Sequence, residues 1–267
     1  MLQGVRYVLN ENIGNLYRTY SIAKYEVLGD MKESRLGLFW NFANPLIQVA
    51  TYWFVFGYVM NRNEVNGIDY ISWMLAGMCM WFFLRPCISG GCNAIYKKVK
   101  IISKMKFPVS ILPATVVFKE VFNHACFMVV VFILLILKGH YPTLHWFGIL
   151  YYLACGILFC ISLSLVTSVL NMVARDVKKF VDAIMRLLMY LTPILWSLDA
   201  LPVQLQRIIM LNPMYYLVAG YRDCFFYHEG FLAYKEQMLI FWIWTLVLFW
   251  LGSTLMYHFR KKFIDLI

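Results

Sequence analysis

The sequence predicts an all-α membrane protein of six transmembrane helices, with an N-terminal amphipathic interface helix and an outer re-entrant hairpin between helices five and six. Composition is the first reason: of 267 residues, 62% are hydrophobic and 14% charged, against roughly 45–50% and 25% in soluble domains. Second, the stretches 36–61, 139–174 and 237–259 contain no Asp, Glu, Lys or Arg, and about 20 apolar residues suffice for a helix to span a bilayer. Third, basic residues cluster in alternate connecting segments, as retention on the cytoplasmic side requires.

In chain order, residues 1–38 form a cytoplasmic N-terminal segment and 39–267 a single transmembrane domain. Within the first segment Leu16, Tyr20, Ala23, Val27 and Met31 share an arc of roughly 80° on a helical wheel, with Arg18, Lys32 and Glu33 elsewhere. That pattern describes an amphipathic helix along the inner membrane face, either a plain anchor or a contact surface for a partner. Spans are expected near 39–60, 70–91, 113–136, 147–172, 180–198 and 238–257. They are apolar on every face, unlike barrel strands, which alternate.

Between the second and third spans, Ile95 to Met105 is expected to form a short helix lying across the membrane normal, halted by Pro108, with Pro113 starting the next span. The bland alternative is a loop whose lysines only mark the inner side. In the segment from Asp199 to Gln237, Leu201–Leu211 and Met214–Phe226 are amphipathic, too short to span, and separated at Asn212-Pro213. A re-entrant hairpin buried in protein fits this pattern, as does a hairpin lying flat on the outer surface.

Sixteen basic residues lie in residues 1–38, 92–112, 173–179 and the tail after 259, against five in the intervening loops. Both termini are therefore expected in the cytoplasm. Arg85, Lys119 and Arg186 fall inside proposed spans, one to two turns from their cytoplasmic ends. There they either snorkel to the headgroups or meet a substrate phosphate. The net charge of +10 thus reports topology, with no nucleic-acid partner implied. Seven cysteines show no CxxC and no even framework, and read as packing residues. Residues 1–38 lack the apolar core of a cleavable signal.

Motifs for chemistry on this chain are missing: no GxxxxGK[ST], HExxH, paired-cysteine zinc pattern or GxSxG occurs. His124, His140, His145, His228 and His258 are scattered. Glu120 and Asp182 are the acids nearest to membrane depth, and both lie close to an inner boundary. Ion coupling has no evident carrier, so a pump would draw its energy from a partner. An embedded glycolipid enzyme would need clustered carboxylates or a histidine at one interface, and neither is visible.

Several blocks resemble the ABC-2 polysaccharide-exporter permease family. They are Arg35-Leu-Gly-Leu-Phe-Trp40-Asn-Phe-Ala-Asn44-Pro45-Leu with Phe54-Val-Phe-Gly57, Ala76-Gly77 with Trp81-Phe-Phe83, and Lys104-Met-Lys-Phe107-Pro108 with Ile111-Leu-Pro113. Arg175-Asp176-Val-Lys follows, then Thr192-Pro193-Ile, Leu201-Pro202, Asn212-Pro213 and Tyr221-Arg222-Asp223. Their order and spacing over 35–223 carry the likeness. Tyr52-Trp53-Phe54-Val-Phe-Gly, Leu75-Ala-Gly-Met-Cys-Met-Trp-Phe-Phe and Lys104-Met-Lys-Phe-Pro-Val-Ser-Ile-Leu-Pro look most like wall teichoic acid exporter permeases, with O-antigen and capsule exporters as alternatives. Before span one the sequence departs from the family, with Gly29-Asp30-Met31-Lys32-Glu33 where an Arg-Tyr pair is common.

The resemblance implies the ABC-2 exporter fold, a homodimer of permeases and two copies of an ABC ATPase that carries the ATP and Mg. It implies ATPase coupling by Tyr96, Lys97, Lys98, Lys104, Lys106, Phe107 and Pro108, with Arg175 and Asp176 facing the same partner. Tyr20, Lys24, Val27 and Arg35 would belong to the interface helix, and Leu201, Pro202, Asn212, Pro213, Tyr221 and Arg222 to an outer re-entrant gate. The substrate expected is a diphospholipid-linked polymer crossing a bacterial cytoplasmic membrane. Aromatic rings stack on sugars and guanidinium groups bind phosphates, which nominates Trp40, Tyr52, Trp53, Arg85, Tyr190 and Trp196 for its path, unless they are belt or packing residues.

Overall fold

The computed structural model describes residues 2–33, 37–102 and 107–260. Helices α1 (Leu2–Gly14) and α2 (Leu16–Glu33) precede α3 (Gly37–Tyr52), which continues as a π-helical turn over Trp53–Val59. A hairpin of β1 (Glu64–Val65) and β2 (Ile68–Asp69) leads into α4 (Tyr70–Cys92) and α5 (Ala94–Ile102). Next come α6 (Ile111–Leu137), a 3₁₀ turn at Leu144–Phe147, α7 (Gly148–Val173) and α8 (Asp176–Leu191). The chain closes with α9 (Val203–Met210), α10 (Pro213–Arg222) running into a π turn at Asp223–Tyr227, and α11 (Lys235–Phe259).

Among the described residues, four helices are long and apolar enough to cross a membrane: α4, α6, α7 with its preceding turn, and α11. The first expected span approaches that length only by adding the seven-residue π turn to the 16 residues of α3. The fifth, expected over 180–198, is shorter and shifted: α8 has 16 residues and stops at Leu191. At 1.5 Å per residue it covers about 24 Å, short of the ~30 Å hydrocarbon core. Pro193 is the cause, because a residue before proline is pushed out of the α region, and Thr192 is extended at φ −76, ψ 133.

Two features escaped the sequence reading. Asn66 and Gly67 both take positive φ, 52° and 78°, between paired strands, the two-residue turn that Asn-Gly favours. The N-terminal segment is two helices, broken at Asn15, whose side chain donates to the Glu11 carbonyl at 2.7 Å. On α2 the buried seam is Thr19, Ala23 and Val27, while Leu16 and Tyr20 of the expected face are exposed. Small side chains spaced four apart let α2 lie close along α6, and the bulky ones flank that seam. The expected 95–105 helix is present as α5 up to Ile102.

Helix α4 is the axle of the bundle. Met74, Met78, Met80 and Leu84 have no exposed surface, and Trp81 and Phe83 are almost fully buried. Around it pack α6, α7, α8 and α10. Helix α11 lies along α7 and carries α1 on its other side. A side chain at Gly252 would meet Leu165 Cβ at 2.7 Å and the Val166 nitrogen at 3.0 Å, and one at Gly4 the Ser253 carbonyl at 2.8 Å. Close backbone approach at small residues is how helices associate where the surrounding lipid is as apolar as their side chains. Replacing Gly252 by Val is expected to cost about 1–3 kcal/mol by overpacking, read as a lowered unfolding temperature in detergent micelles; an unchanged transition would contradict the close approach.

Candidate functional site

The chain's connections gather at two ends. At one end α5 buries Ile95 and Val99 in a small second core with Val8, Leu112, Leu165 and Val169. This seam leaves Tyr96 and Lys97 exposed. The Arg175 guanidinium lies 5.0 Å from the Tyr96 ring centroid, within cation–π range, so the turn between α7 and α8 is joined to α5. Lys98 forms an ion pair with Glu26 of α2. Ser110 donates its backbone N–H to Glu11 Oε2 at 3.1 Å, and its hydroxyl accepts from Asn12 Nδ2 at 3.2 Å. Those bonds fasten the turn after Phe107 and Pro108, both half-buried, onto α1. Arg260 covers Tyr257 and Tyr7 at 3.8 and 4.9 Å. Asp176 is exposed beside Lys179, and Lys24 is exposed on α2. Arg35, Lys104 and Lys106 lie outside the described residues.

A second grouping runs along α3, α4 and α8. Tyr52 lies within the electrostatic reach of Tyr190 and Arg85. The Tyr52 hydroxyl donates to Met189 Sδ at 3.5 Å, and Trp196 Nε1 to the Tyr190 carbonyl at 2.9 Å. Nearer the cationic end, Ser89 Oγ donates to Asp182 Oδ1 at 2.7 Å and accepts from Lys178 at 2.8 Å. Lys178 also pairs with Asp182, and Arg186 adds its charge to that carboxylate. Tyr52, Arg85, Tyr190 and Trp196 thus fall in one region, whereas Trp40 and Trp53 stand apart near opposite ends of the α3 segment. Trp40 lines a cavity of about 210 Å³ with Asn44, Glu120 and His124, and Trp53 one of about 280 Å³ with Arg62, Asp69 and Lys138.

The opposite end is held by hydrogen bonds. Arg222, 6% exposed, donates from Nη1 to the Pro193 carbonyl at 2.6 Å, from Nη2 to Ile194 at 2.7 Å and from Nε to Trp73 at 3.2 Å. Its guanidinium carbon lies 3.4 Å from the Trp73 ring centroid. The next carbonyl, Leu195, accepts from Tyr70 at 2.9 Å and Arg62 at 3.2 Å. Asn212 caps α10 through Met214 N–H at 3.0 Å and also donates to Thr192 Oγ1 at 2.9 Å. Tyr221 pairs with His124 at 2.9 Å, and Asp223 accepts from the N–H groups of Glu229 and Gly230. Leu201 is half-buried and Pro202 exposed, just before α9.

The sequence profile described as ABC-2 type transporter matches residues 17–226. The chain belongs to the ABC-2 type transporter family. An O-antigen export system permease protein RfbA of Klebsiella pneumoniae is 29% identical over 237 residues, covering 88% of this chain and 89% of the relative. One from Myxococcus xanthus is 26% identical over 247 residues, 92% and 93% of the two chains. Another from Klebsiella pneumoniae is 28% identical over 237 residues, again 88% of this chain and 89% of the relative.

In this ABC-2 chain the sequence pointed to Arg222 as part of an outer gate, and the geometry makes it a peg fixing irregular backbone. Neither Tyr70 nor Arg62 was singled out beforehand, since nothing local shows that a carbonyl over a hundred residues away needs a donor. Arg222→Met is expected to destabilise by about 3 kcal/mol or more, from ~1–3 per orphaned carbonyl. Tyr70→Phe should cost only ~1 kcal/mol, because Arg62 still serves Leu195. Thermal unfolding in micelles measures both, and similar shifts would contradict the peg.

Asp69 supplies a pH handle at the same end. Burial alone would push its carboxyl up, but the Ser72 hydrogen bonds, His140 and the Lys138 charge outweigh that and hold it below the usual value. The N-cap bond to Ser72 N–H is 3.2 Å. A depressed carboxylate stabilises fully above its unfolded pKa of ~3.9 and loses that contribution as pH falls through the folded value. Wild type should therefore lose unfolding temperature between about pH 5 and 2 more steeply than Asp69→Asn; parallel curves would show that the cap does not titrate.

Proposed function

We propose that this chain is the permease subunit of an ATP-driven exporter that moves a lipid-linked polysaccharide of the O-antigen kind across a bacterial cytoplasmic membrane. The observation that carries the reading is a family match over most of the chain together with a cationic end built as a single docking plate. That plate joins α1, α2, α5 and the α7–α8 turn, presents Tyr96, Lys97 and Arg175, and contains no nucleotide-binding loop among its motifs. ATP and Mg would sit on two copies of a separate ABC ATPase seated against it. The Lys/Arg bias supports a cytoplasmic plate and cytoplasmic termini.

Polymer passage is assigned to the face formed by α3 and α8. Helix α8 exposes Phe180, Ile184, Leu187 and Tyr190 together with Arg186. A lipid-facing cation at depth is costly, so this face is better explained by a second copy of the chain across an aqueous path. Tyr52, Tyr190 and Trp196 offer ring faces to sugars, with Arg85 beside them for a diphosphate. On this reading α3 and α8 complete a set of six spans, with α9 and α10 as the outer hairpin. Wall teichoic acid is the second reading, favoured by the wording around Tyr52, Leu75 and Lys104, while the relatives' names favour O-antigen.

Reconstitution with a partner ABC ATPase tests the proposal. Lipid-diphosphate-linked O-polysaccharide should stimulate ATP hydrolysis severalfold more than a lipid-linked teichoic acid; the reverse order would favour the second reading, and hydrolysis by this chain alone would defeat both. Tyr96→Ala with Arg175→Ala should lower polymer moved per ATP severalfold while leaving the permease folded.

A further inference from the structure

The π turn that extends α3 stops at Asn61, which takes the left-handed φ of 53° that Asn tolerates after a helix. The Arg62 N–H then returns to the Phe56 carbonyl at 3.3 Å. Helix α6 stops in the same way on Gly139, at φ 87°, with the His140 N–H on the Leu135 carbonyl at 2.9 Å. The two stops bring Arg62 and Lys138, the single Lys or Arg of residues 61–69 and 137–146, to one cavity of about 280 Å³ at the start of α4. Trp53, Asn61, Asn63 and Asp69 complete its polar wall, and none of its lining residues belongs to α8. It is therefore separate from the α3–α8 face given to the polymer. We propose that this cavity holds the phosphate of an anionic phospholipid headgroup. On the charge-derived orientation the lipid comes from the outer leaflet.

The cavity is rich in donors, and its one carboxylate is already engaged. Asp69 accepts from the Ser72 N–H at 3.2 Å, faces His140 at 3.2 Å and lies 3.8 Å from the Lys138 ammonium. That last separation is an ion pair without a hydrogen bond, so the Lys138 N–H groups stay open. Arg62 gives Nη1 to the Leu195 carbonyl at 3.2 Å, while its Nε and Nη2 have no partner among the described residues. The same holds there for the side-chain amides of Asn61 and Asn63 and for the Trp53 indole N–H. None of these residues is buried, so their donors are accessible. Arg62 and Lys138 against Asp69 leave one net positive charge on the wall. Helix α4 adds the positive end of its dipole, since Asp69 is its N-cap and Tyr70 its first residue. A phosphodiester supplies what the wall lacks, acceptor oxygens and one negative charge. Guanidinium groups bind such oxygens in pairs, and an ammonium adds a point charge.

The surroundings of the cavity fit a lipid. On α6 an exposed apolar stripe of Val129, Ile133 and Leu137 runs up to Lys138, and beside Arg62 the π turn exposes Phe54, Tyr58 and Val59. A headgroup seated on the two cations leaves its acyl chains against those apolar faces. Aromatic rings with Lys or Arg at the edge of an apolar face are how membrane proteins anchor at headgroup depth. A zwitterionic headgroup brings its own ammonium, which Arg62 and Lys138 repel, so the cavity selects lipids of net negative charge. The site also reaches irregular backbone, because the guanidinium that faces it shares the Leu195 carbonyl with Tyr70. A phosphate on the free edge of Arg62 fixes that guanidinium toward the carbonyl and steadies the break after α8.

The test uses the full permease in nanodiscs of phosphatidylglycerol and phosphatidylcholine in equal amounts. Native mass spectrometry should find phosphatidylglycerol retained over phosphatidylcholine by roughly threefold or more. Arg62→Gln with Lys138→Gln should remove that preference. Lys138→Gln alone, at an exposed side chain that the fold does not depend on, should about halve it. Lys235→Gln, at an exposed outer cation that does not line the cavity, should leave it unchanged. Phosphatidylglycerol with a photoreactive headgroup should label the peptides that contain residues 53–63 and 138. Equal retention of the two lipids would overturn the proposal, as would a preference that survives both cavity variants or is lost as fully in Lys235→Gln. Displacement of the phosphatidylglycerol by soluble poly(glycerol phosphate) would assign the cavity to the phosphate of a polymer and overturn it equally.

Discussion

Backbone carbonyls buried among apolar helices need protein donors, and the break after α8 frees three in succession. Pro193 ends the helix, and the carbonyls of Pro193, Ile194 and Leu195 are then served by Arg222, Arg222 again, and Tyr70 with Arg62. Only a guanidinium has the fork of donors to hold two of them and the Trp73 carbonyl together. Its slot is prepared by α4. Trp73 supplies a ring face, and one turn on, Gly77 leaves room, since a Cβ there would sit 2.5 Å from Arg222 Nη2. The end of α8, α4 and α10 are tied together by that arrangement.

The two ends are built from different interactions, and this bears on movement. At the cationic end an apolar seam, a cation–π contact and ion pairs fasten α1, α2 and α5 to α6, α7 and α11. Force applied to Tyr96 or Arg175 is therefore delivered to several helices at once. At the far end directional hydrogen bonds fix the hairpin to α4 and the end of α8. Close-packed seams slide by small steps, whereas hydrogen-bonded pegs hold or release. Between them α4 is buried along its length and acts as the common reference for α6, α7, α8 and α10.

Legibility in the sequence followed the range of the interaction. The four long spans were visible because each is a local run of apolar residues, and the Asn212-Pro213 break because proline acts on its immediate neighbours. The end of α8 was misplaced by about two turns although Thr192-Pro193 was in view, since the apolar run through Ile194 and Leu195 outweighed a single breaker in the reading. The seam of α2 was half visible: Ala23 and Val27 fell on the expected face, but Thr19, whose hydroxyl returns to the Asn15 carbonyl, was not among the residues expected there. Arg222 could be flagged by its place in a shared block, yet its partners lie 28, 29 and 149 residues away. No spacing rule reaches that far.

On the proposed reading, a face carrying Tyr52 and Tyr190 with Arg85 nearby would reveal little of the polymer's identity. Rings and phenol hydroxyls accept many sugars, because stacking depends on an apolar patch of the pyranose and not on which hydroxyls surround it. A path that must admit every repeat of a long chain gains nothing from tight recognition of one, since a strong site would hold each repeat as it passed. The anionic linkage to the lipid would occur once per molecule, so guanidinium groups such as Arg85 and Arg186 could mark it without retarding the rest. On that reading discrimination belongs to the headgroup and to partner subunits, while the α3–α8 face needs only an aromatic wall with cations towards its inner end.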